Sequence, residues 1–310
     1  MKRKVLLAAA VVFSTMLACE LPEEGGGGGI GISDFSSGFV FVRADDKNVY
    51  AADSSTGFSE VARLTQNGDN RHPSLSPNGA QVVFVHGSGA GSSLMLAALS
   101  GGAPRTVLAA DAEAQRFAHP TFSPDGQRIA FTFERGGRQV LGVVNADGSG
   151  FTEVSQGSVA HGSPSWYPDG LHVLVASGAP GMGFTGLERV NVETGAAQNV
   201  LNGLGTEAVR IRNRVVLSKD GTRAAFDGEL SSGVSRIFAV TLATRAVTRL
   251  TDYPADPTAN DSFPTWSGAS EVAFSSDTGG NDQVYTVSSN AVRGAGTLRL
   301  PSAIEPWFGP

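Results

Sequence analysis

The sequence has a single cysteine, Cys19, among its 310 residues, so no disulfide can form within one chain. Charged side chains make up only 17% of the residues, and no basic patch stands out beyond the N-terminus. We therefore do not expect nucleic acid or anionic lipid headgroups as partners. Beyond residue 20 the chain also lacks a sustained period of three to four residues, which argues against a helical fold. Glycine, in contrast, is abundant, with 40 copies, and many Gly-rich turns between short apolar runs indicate an all-β protein.

The first nineteen residues differ in character from the rest of the chain. Three basic residues at positions 2–4 precede an apolar stretch, residues 5–17, which is too short to span a bilayer. This pattern predicts a secretory signal peptide over residues 1–18. The segment TMLAC resembles a bacterial lipobox and predicts Cys19 as a lipidation site. A chance cysteine after an ordinary signal peptide, or a thiol kept for an intermolecular disulfide, are the alternatives.

Residues 19–37 follow as a predicted tether between the lipidated cysteine and a globular body. Five consecutive glycines in this stretch would lose much conformational entropy in a defined backbone, so we expect the stretch to be flexible.

Removal of the signal peptide changes the charge of the chain. Without Lys2, Arg3 and Lys4, the 23 basic residues fall to 20 against 29 acidic ones, a net charge near −9. Membrane attachment is therefore expected through acyl chains. Glu20 stands where some bacterial lipoproteins carry an inner-membrane retention Asp, so we expect the outer membrane, with the protein facing the periplasm.

One motif recurs along the rest of the chain. It begins HPSLSPNG at residue 72, HPTFSPDG at 119, SPSWYPDG at 163, RVVLSKDG at 214 and FPTWSGAS at 263. Successive copies are 47, 44, 51 and 49 residues apart, which is the size of a four-stranded propeller blade. After each motif, apolar residues alternate with a period of two, and Gly-rich turns separate further strands. The repeat therefore predicts a β-propeller over residues 38–310.

The motif itself has a structural explanation. In a Pro-Asp-Gly unit, Pro sets φ, Asp bonds the backbone two residues on, and Gly accepts a positive φ. A second proline lies inside the first strand of four copies, at positions 73, 120, 164 and 264. A central strand would not tolerate it, so we place this strand at the edge of each blade that faces the central channel.

The count of blades is expected to close at six. Residues 38–65 supply three strands but lack a first one, and the C-terminal EPWFGP, residues 305–310, matches HPTFSP, residues 119–124, position by position. We predict that the C-terminal strand is the missing inner strand of the first blade, so that it closes the ring and protects the strand edges.

The stretches FSPDGQRIAF, LTDYPADPTANDSFPTWS, FSSDTGGNDQVY and VNADGSG resemble the repeats of TolB-like (WD40-like) β-propellers. The resemblance covers roughly residues 38–310 and implies a six-bladed propeller in the bacterial envelope. We expect a lipoprotein variant that lacks the N-terminal α/β domain of TolB, so the resemblance does not carry over the role of TolB. Related propellers also gate prolyl-oligopeptidase-type enzymes, but the hydrolase domain has no counterpart in this sequence.

Channel-facing residues are the candidates for binding. They are the residues that precede the inner-strand proline or its equivalent, and those with chemistry to offer are His72, His119, Arg214 and Glu305. His72, His119 and Glu305 could converge on a divalent metal, as in related uronate lyases, although Arg214 would repel a cation. The sequence favours no metal and no other cofactor.

Other candidates have simpler structural readings. Ser123 and Asp125 belong to the turn, and other repeats replace His119, so no shared catalytic role is expected. His86 is read as part of a hairpin turn rather than of an oxyanion site. The acidic loop 252–261 is read as a solvated loop between blades rather than as a calcium site. His161 and His172 are read as loop and strand-face residues. Trp166, Trp266 and Trp307 are read as core packing between blades, with a pocket floor as the alternative.

The function expected from the sequence is a non-enzymatic, monomeric envelope lipoprotein. Its propeller would bind a protein or peptide through the channel mouth and loops, because function on propellers usually lies on the loops. The alternative is a carbohydrate-active or other enzyme with a metal in the central channel.

Overall fold

A computed structural model describes Ile32, residues 35–155 and residues 157–310. This part of the chain forms 24 strands and three short 3-10 helices, Ser54–Thr56, Gly89–Gly91 and Thr278–Gly280. Over the same residues no helix is long and apolar enough to cross a membrane. The predicted signal peptide, Cys19 and most of the predicted tether lie outside the described residues.

The strands form six antiparallel sheets of four, each a blade ordered from the channel outward. Blade 1 contains β24 (Ala303–Gly309), β1 (Gly38–Arg43), β2 (Val49–Asp53) and β3 (Val61–Arg63). Blade 2 contains β4 (Asn70–Leu75), β5 (Gln81–His86), β6 (Ser93–Ala98) and β7 (Arg105–Ala109). Blade 3 contains β8 (Gln115–Phe122), β9 (Arg128–Arg135), β10 (Arg138–Asn145) and β11 (Thr152–Glu153).

The other three blades repeat this order without interruption. Blade 4 contains β12 (Ala160–Trp166), β13 (His172–Gly178), β14 (Gly186–Asn191) and β15 (Ala197–Asn202). Blade 5 contains β16 (Ala208–Leu217), β17 (Arg223–Leu230), β18 (Ser235–Thr241) and β19 (Ala246–Arg249). Blade 6 contains β20 (Asp261–Trp266), β21 (Glu271–Ser276), β22 (Gln283–Ser288) and β23 (Thr297–Pro301).

The six inner strands form a closed ring. Each contacts the inner strand of the next blade, and β24 contacts both β20 of blade 6 and β4 of blade 2. The C-terminal strand pairs with β1 over Gly309↔Gly38 to Ala303↔Arg43, and the Phe39 and Phe308 rings meet edge-on at 5.0 Å. The predicted six-bladed, all-β architecture and its closure by the C-terminus are therefore confirmed.

The repeated turns have the predicted form. In blade 3 the N–H of Gly126 donates to the Ser123 carbonyl at 2.8 Å, and Gly126 has φ +71°. The Ser123 hydroxyl donates to Asp125, and the Asp125 carboxylate accepts from the N–H of Gln127 at 3.0 Å. The same backbone bond closes the turns at Gly79, Gly170 and Gly221. Ser123 and Asp125 therefore hold a hairpin turn together, as the repeat comparison predicted.

The blades pack through cores in which a small residue faces a tryptophan. Ala130 of blade 3 and Trp166 of blade 4 share one buried cluster, and Ala225 of blade 5 and Trp266 of blade 6 share another. The Trp166 indole N–H donates to the Thr121 carbonyl of the preceding blade at 3.1 Å. This bond satisfies the polar end of a buried ring, which would otherwise cost free energy.

The last residues of the predicted tether lie against blade 1. The N–H of Ser36 donates to the Asp53 carboxylate at 2.8 Å, and the Ser37 and Ser54 hydroxyls are 2.7 Å apart. The side chain of Phe35 packs against the core between blades 1 and 2. The chain is therefore fixed to the propeller slightly before β1 begins.

Candidate functional site in the central channel

The pairing register of all six inner strands shifts at the same place, and five of the strands carry a left-handed residue there. The residue before the proline has a positive φ between 39° and 53° in each of them: His72, His119, Ser163, Phe263 and Glu305. The pairing register with the second strand shifts across each of these positions. A positive φ is unfavourable for a non-glycine residue, by about 1–3 kcal/mol. A strained backbone recurring at one position in five blades marks this ring of residues as the candidate site.

The bulge also explains the prolines. Pro73 and Pro120 lie where the ladder is already interrupted, so the missing N–H leaves no partner unpaired. The sequence prediction that the proline-bearing strand is the inner edge strand is confirmed. The bulge itself was not predicted, because a positive φ at His or Glu leaves no mark in the composition.

Three rings from three blades meet at the axis. The His72 and His119 imidazoles stack with centroids 4.0 Å apart and planes inclined by 28°. The Phe263 ring lies 5.7 Å from His72 and 6.4 Å from His119. Because blade 6 stands opposite blade 3 in the ring, the contact between Phe263 and His119 spans the channel. At this level the channel is filled by side chains, and His72, His119 and Phe263 remain partly exposed.

A relay of hydrogen bonds connects blades 1, 2 and 3. The Glu305 carboxylate accepts from the N–H of His72. The His72 Nδ1 then accepts from the N–H of His119 at 3.3 Å. An accepting Nδ1 must be unprotonated, so a neutral His72 carries its hydrogen on Nε2. Burial, together with the nearby His119 and Arg214, lowers the pKa of His72 well below 6.5.

Burial acts on the other two ionisable groups of this relay as well. It lowers the pKa of His119 to about 3, and the positive charge of Arg214 contributes to that shift. Burial raises the pKa of Glu305, against the opposing effects of its bond from His72 and of Arg214. Both imidazoles are therefore neutral at pH 7.

Arg214 takes a different position from the other channel candidates. Its side chain is 3% exposed, and its guanidinium lies 5.3 Å from the Phe263 ring centroid and 5.4 Å from that of Trp307. It donates to the Pro306 carbonyl at 2.6 Å. Burial lowers the pKa of Arg214 to about 10, although Glu305 and Asp227 favour its charge. Arg214 of blade 5 thus contacts both blade 6 and blade 1.

Asp227 is a site residue that the sequence reasoning missed. It is fully buried, and its carboxylate accepts from the N–H groups of Asn213 and Arg214 at 3.0 and 2.8 Å. It also approaches the N–H of Phe263 in the next blade at 3.4 Å. Ser275 holds the N–H of Glu305 in the same way at 2.8 Å. The sequence does carry a signal for these two residues, because each is a polar residue that directly follows a phenylalanine in an apolar strand: Asp227 after Phe226, and Ser275 after Phe274.

The four predicted binding residues, His72, His119, Arg214 and Glu305, are thus brought together around one channel. Over residues 35–155 and 157–310, no group of three or more His, Cys, Asp or Glu side chains is placed to hold a metal ion. Metal binding by His72, His119 and Glu305 stays a hypothesis. In the structure, the Nδ1 of His72 and one carboxylate oxygen of Glu305 already accept hydrogen bonds from backbone N–H groups.

The remaining histidines lie elsewhere. His161 contacts Ser155 at 2.7 Å and Glu188 at 3.0 Å, and it is buried rather than exposed in a loop. His172 contacts the Asp169 carboxylate at 2.8 Å on the surface of blade 4.

The acidic loop 252–261 does not form a common oxygen cage. Asp252 pairs with Arg249 at 2.5 Å, Asp256 accepts from the N–H of Gly279 at 2.9 Å, and Asp261 accepts from the Thr251 hydroxyl. The expectation of a solvated loop is wrong for Asp261, which is fully buried, and burial raises its pKa to about 6. Its place at the start of β20 accounts for the difference, because the inner strand begins inside the ring.

Comparison with known proteins agrees with this architecture. The family model for the lipoprotein LpqB β-propeller domain, Gmad1, matches residues 52–295. TolB from Acinetobacter baumannii has a similar structure, with a TM-score of 0.68 at 18% identity over 88% of this chain and 66% of its own. A TolB-type protein from Agrobacterium tumefaciens gives a TM-score of 0.62 at 17% identity, over 89% of this chain and 97% of its own.

An oligogalacturonate lyase in complex with manganese gives a TM-score of 0.55 at 16% identity, over 85% of this chain and 78% of its own. These identities support a shared fold and no more. No curated protein sequence matches the chain. Since the family model extends over most of its length, the chain belongs to the lipoprotein LpqB β-propeller domain family and has the fold of the TolB-like propellers.

Proposed function

We propose that this protein is a non-enzymatic envelope lipoprotein whose propeller binds a protein or peptide through the channel mouth and the loops around it. The observation that carries the proposal is the rigid floor of partly exposed rings, His72, His119 and Phe263, across the channel. Aromatic and imidazole rings offer large contact area at a small cost in side-chain entropy. The lipoprotein family and the TolB-like fold support the envelope setting.

The protonation states support binding over acid–base catalysis. A general acid or base works best when its pKa lies near the operating pH. The pKa of His119 is about 3 and that of His72 is well below 6.5, because the surrounding blades shield both rings from much of the solvent and Arg214 adds a nearby positive charge. The Asp227 carboxylate is occupied by backbone N–H groups. These groups are suited to holding the ring of blades together and presenting a fixed surface.

The mouth around this floor is polar and paired. Arg116 lies 3.2 Å from Glu134 on blade 3, and Arg212 lies 3.3 Å from Glu229 on blade 5. The Arg116 and Arg212 side chains are 62% and 44% exposed, so they can meet a partner. An apolar or aromatic centre inside a charged rim is the usual anatomy of a protein interface.

The test uses two charge reversals on the same strand–turn unit of blade 5. Arg212→Glu changes the mouth, whereas the matched control Lys219→Glu changes the exposed turn after β16 at the opposite end of the strand. Crosslinking pull-downs from envelope extracts should recover a partner with the wild type and with Lys219→Glu, and lose most of it with Arg212→Glu. Equal recovery by both variants would contradict a binding site at the mouth.

Elemental analysis of the purified protein separates this proposal from the alternative, an enzyme with a metal in the channel. The proposal predicts no stoichiometric metal in the wild type. A divalent metal bound one to one, and lost in His119→Ala, would favour the enzyme. The manganese-bound lyase shares only the fold, so it does not decide the question.

Lipidation of Cys19 is a separate part of the proposal. Cells fed a palmitate analogue should label the wild type and leave Cys19→Ser unlabelled. The labelled protein should fractionate with the outer membrane and resist added protease until the periplasm is opened. After detergent extraction it should behave as a monomer. Equal labelling of both proteins would refute the anchor.

A further inference from the structure

A second concave site lies apart from the channel, along the boundary between blades 1 and 2. It is a cleft of about 650 Å³ that shares no residue with the channel site. Leu64, Phe84 and Met95 form its apolar floor, while Asn67, Asn70 and His86 supply polar groups. The volume falls within the usual range of small-molecule sites, and such sites combine an apolar surface with a few placed polar groups.

The same place in blade 6 shows what this cleft could accept. There the connection from blade 5 reads Leu250-Thr251-Asp252-Tyr253, against Leu64-Thr65-Gln66-Asn67 at the cleft. Tyr253 is 8% exposed. A Cβ built on Gly296 would lie 2.9 Å from the Phe274 ring and 3.3 Å from the Tyr253 hydroxyl, so the two rings lie close together. The protein's own phenol therefore occupies this position in blade 6, and Asn67 replaces it in blade 2.

The partner of the floor ring differs in the same sense. The residue opposite the second-strand phenylalanine supplies a stacked ring in blades 1, 5 and 6. The ring pairs are Phe41–Tyr50 at 5.9 Å, Phe226–Phe238 at 5.4 Å and Phe274–Tyr285 at 6.2 Å. In blade 2, Phe84 stands opposite Met95 instead. Methionine is flexible and makes favourable contacts with aromatic rings, so Phe84 and Met95 can accept a ring from outside.

The polar wall is also equivalent in the two blades. In blade 6 the Thr251 hydroxyl donates to Asp261, and in blade 2 the Asn70 amide donates to the Thr65 hydroxyl at 3.1 Å. The Asn70 amide nitrogen also donates to the Lys47 carbonyl, which fixes the orientation of the amide. The Asn70 side-chain oxygen therefore faces His86 Nδ1 at 2.9 Å, and because an amide oxygen can only accept, Nδ1 carries the hydrogen. A neutral His86 then has its Nε2 free to accept a hydrogen bond from a ligand in the cleft.

We propose that this cleft binds an aromatic ring that carries a hydroxyl, as in a tyrosine side chain or a small phenol. The ring lies against Phe84 and Met95, and the hydroxyl donates to His86 Nε2. The proposal does not rest on the proposed function, because the channel mouth and the cleft are built from different residues.

Met95 provides a direct measurement. The chain has four methionines, and with [methyl-¹³C]methionine the NMR signal of Met95 should shift on addition of N-acetyl-tyrosinamide, because a ring current acts on its methyl group. Met182, which is 74% exposed, is an internal control that should not shift. N-acetyl-phenylalaninamide should bind about 3- to 10-fold more weakly, the equivalent of one hydrogen bond, and N-acetyl-leucinamide should cause no ring-current shift.

Two variants and one further ligand complete the test. Asn67→Tyr introduces the residue that blade 6 has at Tyr253, and it should abolish the shift of the Met95 signal because the new ring fills the cleft. Asn202→Tyr, at an exposed position of blade 4, should leave the shift unchanged. His86→Phe should remove the preference for the hydroxyl while the ring still binds. p-Cresol binding as tightly as N-acetyl-tyrosinamide would identify a free phenol as the ligand, and weaker binding would identify a peptide. A Met95 signal that stays unmoved by both, or that moves equally in Asn67→Tyr, would overturn the proposal.

Discussion

The imidazole of His72 accepts a hydrogen bond from the backbone of His119 at 3.3 Å, while the two rings stack at 4.0 Å. One side chain thus holds both the backbone and the ring of the next blade. The contact requires a neutral imidazole at His72, so protonation of that ring would break a bond between blades 2 and 3.

The first prediction is a loss of stability in acid. The pKa values of His72 and His119 are lower in the folded chain than their ordinary value of 6.5, so the unfolded chain binds more protons below that pH. Their contribution is fully present above pH 6.5 and is lost as the pH falls below it, for His119 down to about pH 3, by at most about 1.4 kcal/mol per pH unit for each group.

Denaturant unfolding of the wild type and of His119→Phe between pH 7 and pH 4 tests this prediction. The variant removes one titrating group and should lose less stability over that range. Glu305, Asp227 and Asp261 have raised pKa values and act in the opposite direction, so the difference between the two proteins is the informative quantity. Parallel curves would contradict the assignment.

The closing strand should carry a large share of the stability of the ring. Removal of residues 303–310 exposes the edge of β1 and the side of β4 that β24 covers. We expect the melting temperature to fall by on the order of 10 °C, since 1 kcal/mol corresponds to roughly 2–4 °C in a chain of this size. Removal of Pro310 alone, which follows β24, is the control. A melting curve unchanged by the longer deletion would contradict a stabilising role for the closing strand.

Asp227 should tolerate a short polar replacement better than an apolar one. Asp227→Leu leaves the N–H groups of Asn213 and Arg214 without a partner and removes a counter-charge near the Arg214 guanidinium, so we expect a loss of about 2–4 kcal/mol. Asp227→Ser introduces the residue that blade 6 has at Ser275 and should lose less. Urea unfolding measures both, and equal losses would show that the carboxylate's hydrogen bonds are unimportant.

The turn of the third blade should matter for stability but not for chemistry. Asp125→Ala removes bonds from Ser123 and from the backbone of Gln127 at an exposed hairpin, so we expect a loss of about 1 kcal/mol. Partner recovery in the pull-down should equal that of the wild type. A large drop in recovery with unchanged stability would point instead to a functional role for Asp125.

The fold could be predicted from the sequence because each blade repeats the same motif at a nearly constant spacing. Turn residues such as Gly126 and alternating strands such as β9 signal their structure locally, and copies at regular spacing fix the blade. Glu305 could be placed on the channel only by aligning the C-terminus with the inner repeats. That alignment also selected His72, His119 and Arg214 as neighbours.

The chemistry of the site was less visible. The positive φ of His72 and the pairing of its Nδ1 with the next blade depend on how two sheets meet, and no single repeat records that geometry. The buried Asp227 was not identified because the repeats were aligned on their inner strands, whereas Asp227 lies on the second strand. It contributes to the channel site by accepting hydrogen bonds from the N–H groups of Asn213 and Arg214 on the inner strand. The cleft at Met95 required the structure, since it is defined by a ring that blade 6 has and blade 2 lacks.

The division of blade 1 between the two ends of the chain has a consequence for biogenesis. Within the propeller, β1 is synthesised first and its partner β24 last, so the channel-facing edge of GFVFVR stays unpaired while the intervening strands are made. An unpaired apolar strand is a template for aggregation. The nascent propeller therefore depends on protection of this edge until β24 is made, and products truncated before β24 should be cleared or aggregate rather than persist as rings with an incomplete first blade.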